Sequence, residues 1–201
     1  DEFNAGNQTG YHHMFNELHF SDDEYTKGCN YERFECRVER GDVIVDVGAN
    51  IGMFANVAYH KGAEQIFCFE PSDIAFSCLD RNKPFKTKTF KMAISNYNGM
   101  TKISLPSQDD TMGASVNSNS EFSNYVPVAT IDSLFEAKVF DRIDFLKIDC
   151  EGSEKSVIEG ISDENLSKIK KISMEFHLFH LTEKDSDEIV GRLTANGFRS
   201  F

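Results

Sequence analysis

The stretch Val43-Ile44-Val45-Asp46-Val47-Gly48-Ala49-Asn50-Ile51-Gly52-Met53-Phe54 constrains the fold more than any other part of the chain. Val43, Ile44, Val45 and Val47 are β-branched, which suits a strand covered on both faces. Gly48 and Gly52 allow a sharp turn and the close approach of a ligand or a neighbouring element. Asn50 is expected to cap the helix that follows, where Phe54, Val57 and Ala58 recur at helical spacing. A buried strand, a glycine loop and a helix in this order form the ligand end of an open α/β sheet.

Two ligand classes compete for this loop. A dinucleotide loop reads G-x-G-x-x-G and sets the pyrophosphate on the helix N-terminus. Here Asn50 stands in place of the middle glycine, and an acid, Asp46, lies at the strand end. A carboxylate beside a pyrophosphate is unfavourable. It suits a ligand carrying positive charge, such as the sulfonium and amino group of S-adenosylmethionine. A turn made only for packing is the third reading of the same glycines.

A chain of 201 residues is one domain's length. The net charge of −12 argues against nucleic-acid binding and against an anionic membrane surface, both of which need clustered cations. Small neutral or polar substrates stay open. The five cysteines, Cys29, Cys36, Cys68, Cys78 and Cys150, are odd in number and include no C-x-x-C. They read as reduced residues of a cytoplasmic protein. No apolar run approaches the roughly 18 residues of a membrane span.

Residues 1–40 read as a polar start followed by irregular, aromatic-rich helices. His12, His13 and His19 fall there without the spacing of a metal site and read as surface or packing residues. Residues 41–201 read as the main domain. Asp42–Val47 is the first strand, Ile51–His60 the first helix and Gln65–Glu70 the second strand. Pro71-Ser72 opens a second helix, with Ser72 as its cap. Thr87–Ala93 is the third strand and Met100–Leu105 a short extra one after an Asn98-Gly99 turn. Residues 106–124 lack periodicity and read as a functional loop. Tyr125–Ala129 is extended and Thr130 caps a short helix. Asp144–Asp149 and Lys171–His177 are the fourth and fifth strands. Thr182 and Asp185 form a capping box for a helix through Asn196, and a sixth strand is expected from Phe198. Strands alternating with helices predict a doubly wound, mostly parallel sheet with helices on both faces.

Glu70, 18 residues after Gly52, ends the second strand beside the glycine loop, across the switch in strand order. A carboxylate there can accept hydrogen bonds from ribose hydroxyls, or simply cap the second helix. Asp149 and Glu151 end the fourth strand, and Glu175 and His177 end the fifth on a common face. Four ionisable groups at adjacent strand ends exceed what packing needs.

Three segments carry a family resemblance: Val45-Asp-Val-Gly-Ala-Asn-Ile-Gly52, Phe69-Glu-Pro71, and Leu146-Lys-Ile-Asp-Cys-Glu-Gly-Ser-Glu154. They resemble, in order, the signature segments of the FkbM-type methyltransferases, and the similarity runs from about Tyr31 to Phe201. The resemblance implies the class I methyltransferase fold, which is Rossmann-like, and S-adenosylmethionine as methyl donor. It implies transfer to a hydroxyl of a sugar, glycan or small metabolite. Asp46, Gly48, Asn50 and Gly52 would hold the methionine half and Glu70 the ribose, Met92 and Ala93 would border the adenine, and Phe54, Pro71 and Asp149 would also belong to the cofactor site. Asp149, Glu151, Glu175 and His177 would face the methyl group and the acceptor. The family fold closes with an antiparallel pair of strands six and seven, whereas this chain stops at Phe201 as strand six begins.

A sugar hydroxyl is a poor nucleophile at neutral pH, so a base or a metal must help to remove its proton. His177 and Asp149 are the candidate bases. Asp149, Glu175 and His177 could instead ligate a divalent cation. Cys150 has acids and no basic neighbour to stabilise a thiolate, which counts against it as a nucleophile. The rival readings are a catalytically silent methyltransferase-like binding module and an NAD-linked oxidoreductase.

Overall fold

The computed structural model describes residues 31–32, 35–104, 123–177 and 181–200. Five strands form the main sheet: β1 (Val43–Val47), β2 (Gln65–Phe69), β3 (Thr87–Phe90), β7 (Ile143–Ile148) and β8 (Ile169–Met174). Their order is β3-β2-β1-β7-β8 and every pairing is parallel. The chain winds outward from β1 to β3 and then returns to the other side of β1. The switch in strand order therefore falls between β1 and β7. Glu70, after β2, lies on the same side of that switch as the glycine loop's own strand, not across it.

Strand alternation sorts the side chains of β1 onto two faces. Val43, Val45 and Val47 enter one core with Phe67, Phe69, Leu146 and Ile148. That core is closed by Ile131 and Leu134 of α3 (Ile131–Glu136), Val157 and Ile158 of α4 (Glu154–Glu159) and Ile189 of α6 (Glu183–Ala195). Ile44 faces the other way, with Ile66, Cys68 and Phe145, under Phe54, Ala55 and Ala58 of α1 (Met53–His60) and Leu79 of α2 (Asp73–Asn82). Helices thus cover both faces, as the β-branched run in β1 requires. Asp46 and Lys147 are Cα partners in the β1–β7 register. Alternation puts Asp46 on the face of Ile44 and Lys147 on the face of Phe145, so both charges point towards α1.

A second sheet was not foreseen. β4 (Ala93–Ile94), β6 (Ser123–Ala129) and β5 (Gly99–Ser104) pair in that order around a small core of Ala93, Ile103, Val126 and Val128. The expected third strand, Thr87–Ala93, is cut in two. Met92 N–H donates to the Phe90 carbonyl, and this turn hands Ala93 to the second sheet. α5 (Asp163–Leu166) completes the elements.

Helix caps separate sound expectations from unsound ones. Thr130 accepts from Ser133 N–H, and Thr182 with Asp185 forms the full capping box. Ser72 holds the cap position of α2 without a side-chain bond. Asn50 caps nothing: α1 starts at Met53 behind Gly52, and Asn50 adopts φ +48°. The expected strand from Phe198 is absent from residues 198–200. Gly197 takes φ +91°, and Phe198 N–H folds back onto the Leu193 carbonyl, so the chain closes over α6. The four described cysteines are free, and no described helix is long and apolar enough to cross a membrane. Cys29, the three N-terminal histidines and residues 106–122 of the expected loop lie outside the described residues, and its last two residues, Ser123 and Asn124, belong to β6.

Candidate active site

The glycine loop is fixed by its neighbours. Gly48 and Ala49 N–H both donate to the Phe69 carbonyl, and Asp149 N–H donates to the Val47 carbonyl. Gly48 has φ +73°, and a Cβ there would lie 1.7 Å from the Asp149 carbonyl oxygen. No side chain fits without moving the end of β7. At Gly52 a Cβ would lie 2.8 Å from Leu79 Cδ1, so α1 packs tightly on α2 at its start.

Glu70 is buried and tied at both oxygens. Asn50 N–H reaches Oε2 and Ser72 N–H reaches Oε1, each at 2.8 Å. Burial nonetheless outweighs these amides and pushes its carboxyl up to about 7. Two backbone bonds leave each oxygen a further lone pair. Pro71 and Met92 are half-buried nearby in sequence, while Ala93 is buried in the second sheet. Phe54 is a buried core residue that packs edge-on to Tyr31 and against Phe145.

Lys147 organises the space between β1 and β7. Its ammonium is 3.2 Å from Asp46 and 3.2 Å from Asp149, donates to the Gly48 carbonyl at 2.7 Å, and sits 4.9 Å over the Tyr31 ring. Burial opposes this charge, but Asp149 and Asp46 outweigh burial and hold its pKa well above the usual lysine range. Asp46 is fully buried, and neither oxygen has a hydrogen-bond partner. Its contact with Lys147 is an ion pair without hydrogen-bond geometry. The cation that Asp46 meets within the protein is thus Lys147. Burial raises the Asp46 carboxyl against this attraction.

The strand ends of β7 and β8 bring the four expected ionisable groups together. His177 Nε2 lies 3.5 Å from Glu151, 3.8 Å from Asp149 and 4.0 Å from Glu175. Its Nδ1 is 2.7 Å from Oε1 of the fully buried Glu154. That bond, against the effect of burial, raises His177 to about 9. In the ion-free site the Glu154 bond therefore favours the protonated imidazole, and a cation at Nε2 would take the place of that proton. Tyr31 O–H donates to Asp149 at 2.6 Å. Burial opposes the charge of Asp149, but Lys147 and Tyr31 hold it below the usual carboxylate range. Both candidate bases are accordingly weakened in the ion-free site, His177 because Glu154 favours its protonated form and Asp149 because Lys147 and Tyr31 engage its lone pairs. Glu151 and Glu175 move the other way, raised chiefly by burial. The Cys150 thiol is raised well above its ordinary value by burial and by Glu154, which further disfavours a thiolate. Glu151 sits at φ +53° and Gly152 at φ +94°, a tight turn that holds Glu151 over the strand ends. The trio whose donor atoms lie within 4.8 Å of one another is Asp149, Glu151 and His177. It differs from the expected trio by exchanging Glu175 for Glu151.

Sequence reasoning passed over Tyr31, Lys147 and Glu154. Lys147 carried a readable signal, since a lysine inside the apolar run of Asp144–Asp149 must be paired if that strand is central. Glu154 closes the Leu146–Glu154 signature segment, but nothing in that segment assigns it a role beside His177. Nothing local marked Tyr31, which comes from the segment before the sheet.

A parallel sheet of order 3-2-1-4-5 by winding, with a glycine loop after its first strand and acids at the later strand ends, is that of a class I methyltransferase. The chain belongs to the FkbM methyltransferase family, whose domain model (Methyltransferase FkbM domain) matches residues 46–200. It is 27% identical over 214 residues to the 31-O-demethyl-FK506 methyltransferase FkbM of Streptomyces tacrolimicus, covering 87% of this chain and 78% of that protein. It is 27% identical over 142 residues to the hexuronic acid methyltransferase AglP of Haloferax volcanii, covering 69% of this chain and 57% of that protein. Among solved structures, the ribosomal protein L11 methylase of Lactobacillus delbrueckii subsp. bulgaricus is similar at a TM-score of 0.43 and 13% identity, over 80% of this chain and 62% of that one. The fold assignment rests on the strand order and the family match, not on that weaker likeness.

Proposed function

We propose that this chain transfers a methyl group from S-adenosylmethionine to a hydroxyl oxygen of a sugar, glycan or small metabolite. The observation that carries the reading is the joint geometry of the crevice: a glycine loop that admits no side chain, a buried Glu70 beside it, and four ionisable groups gathered at the neighbouring strand ends. Two similar proteins support the acceptor class, one named for 31-O-demethyl-FK506 and one for a hexuronic acid. The residues fit the donor. Glu70 keeps lone pairs for ribose hydroxyls, and the acidic rim complements a sulfonium and an amino group.

Bound S-adenosylmethionine supplies a methyl carbon already activated by positive sulfur, so the protein's work is alignment, proton removal and exclusion of water. Gly48 and Gly52 let the backbone approach the donor, and Asp46 acts through Lys147, which fixes the Gly48 carbonyl and the Asp149 carboxylate. His177 and Asp149 are poor bases here for the reasons given above. We assign proton removal to Glu175, a half-buried carboxylate whose raised pKa makes it the better acceptor. The acceptor oxygen gains the methyl, the carbon–sulfur electron pair returns to sulfur, and the hydroxyl proton passes to Glu175. A groove of about 1080 Å³ along β8 and α6 is lined in part by Tyr31, Met174 and Glu175.

The test is transfer of radiolabelled methyl from S-adenosylmethionine across a panel of uronic acids, neutral sugars and macrolide alcohols. Glu175→Gln should lower turnover by about 10²–10⁴ while leaving S-adenosylhomocysteine affinity near wild type. Wild-type turnover in that variant removes Glu175 as base; label on nitrogen or carbon in every product removes the hydroxyl.

A further inference from the structure

We propose that Asp149, Glu151 and His177 form a divalent-cation site at the acceptor end of the crevice, with Glu154 as the group that orients the histidine. The donors come from two chain segments, the turn after β7 and the stretch after β8, and lie within 4.8 Å of one another. The separations from His177 Nε2 to Glu151 and Asp149, 3.5 and 3.8 Å, are too long for direct hydrogen bonds. Ligands at about 2.1–2.5 Å from one ion and at right angles to each other stand about 3.0–3.5 Å apart, so only a small closure is needed.

The support behind His177 is a second, independent observation. Glu154 has no exposed surface, and its Oε1 takes the Nδ1 side of the ring at 2.7 Å while accepting from Gly152 N–H at 3.1 Å. This leaves Nε2 directed at the two carboxylates. A carboxylate behind a histidine fixes the ring orientation and raises its basicity at metal sites. The other oxygen of Glu154, Oε2, is buried without a hydrogen-bond partner. A buried carboxylate left half-satisfied is costly in a purely structural cluster. One imidazole and two carboxylates suit a first-row ion such as Mn²⁺ or Zn²⁺ better than an all-oxygen Ca²⁺ cage.

The proposed role rests on the methyltransferase reading. The ion would bind the acceptor hydroxyl, lower its pKa and hold it against the methyl position, with the proton leaving to Glu175. Ion binding itself does not depend on that reading. Failure to bind an ion would leave S-adenosylhomocysteine binding intact, and failure to bind S-adenosylhomocysteine would leave the ion site intact.

Titration of the whole chain with Mn²⁺, followed by electron paramagnetic resonance of the free ion, tests the site. One ion per chain should bind saturably at micromolar concentration. His177→Ala and Glu151→Gln should each weaken it at least about 10-fold, and Glu154→Gln by about 10–100-fold. Glu64→Gln, just before β2 at the opposite edge of the sheet, should change nothing. If a variant fails to fold, the wild type still decides: bound Mn²⁺ must broaden the His177 ring resonances ahead of those of His60. No saturable binding of Mn²⁺ or Zn²⁺ up to millimolar concentration overturns the proposal, as does binding that is unchanged in the folded variants or leaves His177 unbroadened.

Discussion

Replacing Lys147 by Met keeps the length of the side chain and removes the one charge shared by Asp46 and Asp149. Lys147 is 3% exposed and Asp46 is 0% exposed, so water cannot take over the lost interaction. Removing one partner from such a buried pair costs about 3–5 kcal/mol, because the remaining charge is left uncompensated. For a chain of this length that is a fall of about 6–20 °C in Tm. The loss must also depend on pH. The Asp46 carboxyl is already raised by burial, and without Lys147 it rises further. A carboxyl whose folded pKa exceeds its unfolded one contributes stability that is present at low pH and lost as pH rises through the folded value. The deficit of Lys147→Met should therefore be smaller at pH 5 than at pH 8. Adding Asp46→Asn should recover part of it at pH 8. Urea unfolding of the three proteins at both pH values measures all of this. A loss below about 1 kcal/mol, or one equal at both pH values, would refute the claim that Lys147 neutralises a buried charge.

Two further outcomes follow from the same geometry. Gly48→Ala places a methyl 1.7 Å from the Asp149 carbonyl oxygen, so it should cost more stability than the roughly 1–2 kcal/mol of left-handed strain alone and abolish S-adenosylhomocysteine binding; wild-type melting and affinity would show that the β1 loop and β7 are not locked together. Glu70 titrates near 7 in the folded chain against 4.5 ordinarily, so its contribution to stability is complete below about 4.5 and lost as pH rises through about 7; Glu70→Gln should flatten the pH dependence of urea unfolding across that window, and an unchanged slope would mean that Glu70 is ionised throughout.

How much of this was legible in sequence divides along physical lines. β1 announced itself through four β-branched residues, and its parallel neighbours followed from strands alternating with helices. The capping box at Thr182 and the cap at Thr130 were readable because a cap is local, settled within four residues. Asn50 shows where local reading fails. Its preference for helix caps competed with Glu70, 20 residues away, which takes its backbone N–H and holds it in a left-handed turn. The second sheet was illegible for a related reason. Its first strand is only two residues long, and whether Ala93 extends β3 or starts a new sheet depends on what β6 offers it. At the site, residue types placed the acids and the histidine at adjacent strand ends, since strand periodicity fixes which residues reach the rim. Their protonation was not legible. Glu154 strengthens the hold of His177 on a proton, and Asp149 is quieted by Tyr31 and Lys147, contacts that only tertiary structure supplies.

The central claim is that the glycine loop and Glu70 hold an adenosyl sulfonium donor rather than a dinucleotide. Titration calorimetry of the whole chain with S-adenosylhomocysteine and, separately, with NAD tests it most directly. The account predicts saturable binding of S-adenosylhomocysteine with a Kd on the order of micromolar, worth about −8 kcal/mol. It predicts no saturable heat with NAD. Glu70→Ala should weaken the first by about 1–3 kcal/mol, the range for hydrogen bonds to a charged group. Saturable NAD binding with none for S-adenosylhomocysteine would contradict the account, and unchanged S-adenosylhomocysteine affinity in Glu70→Ala would remove Glu70 from the ribose.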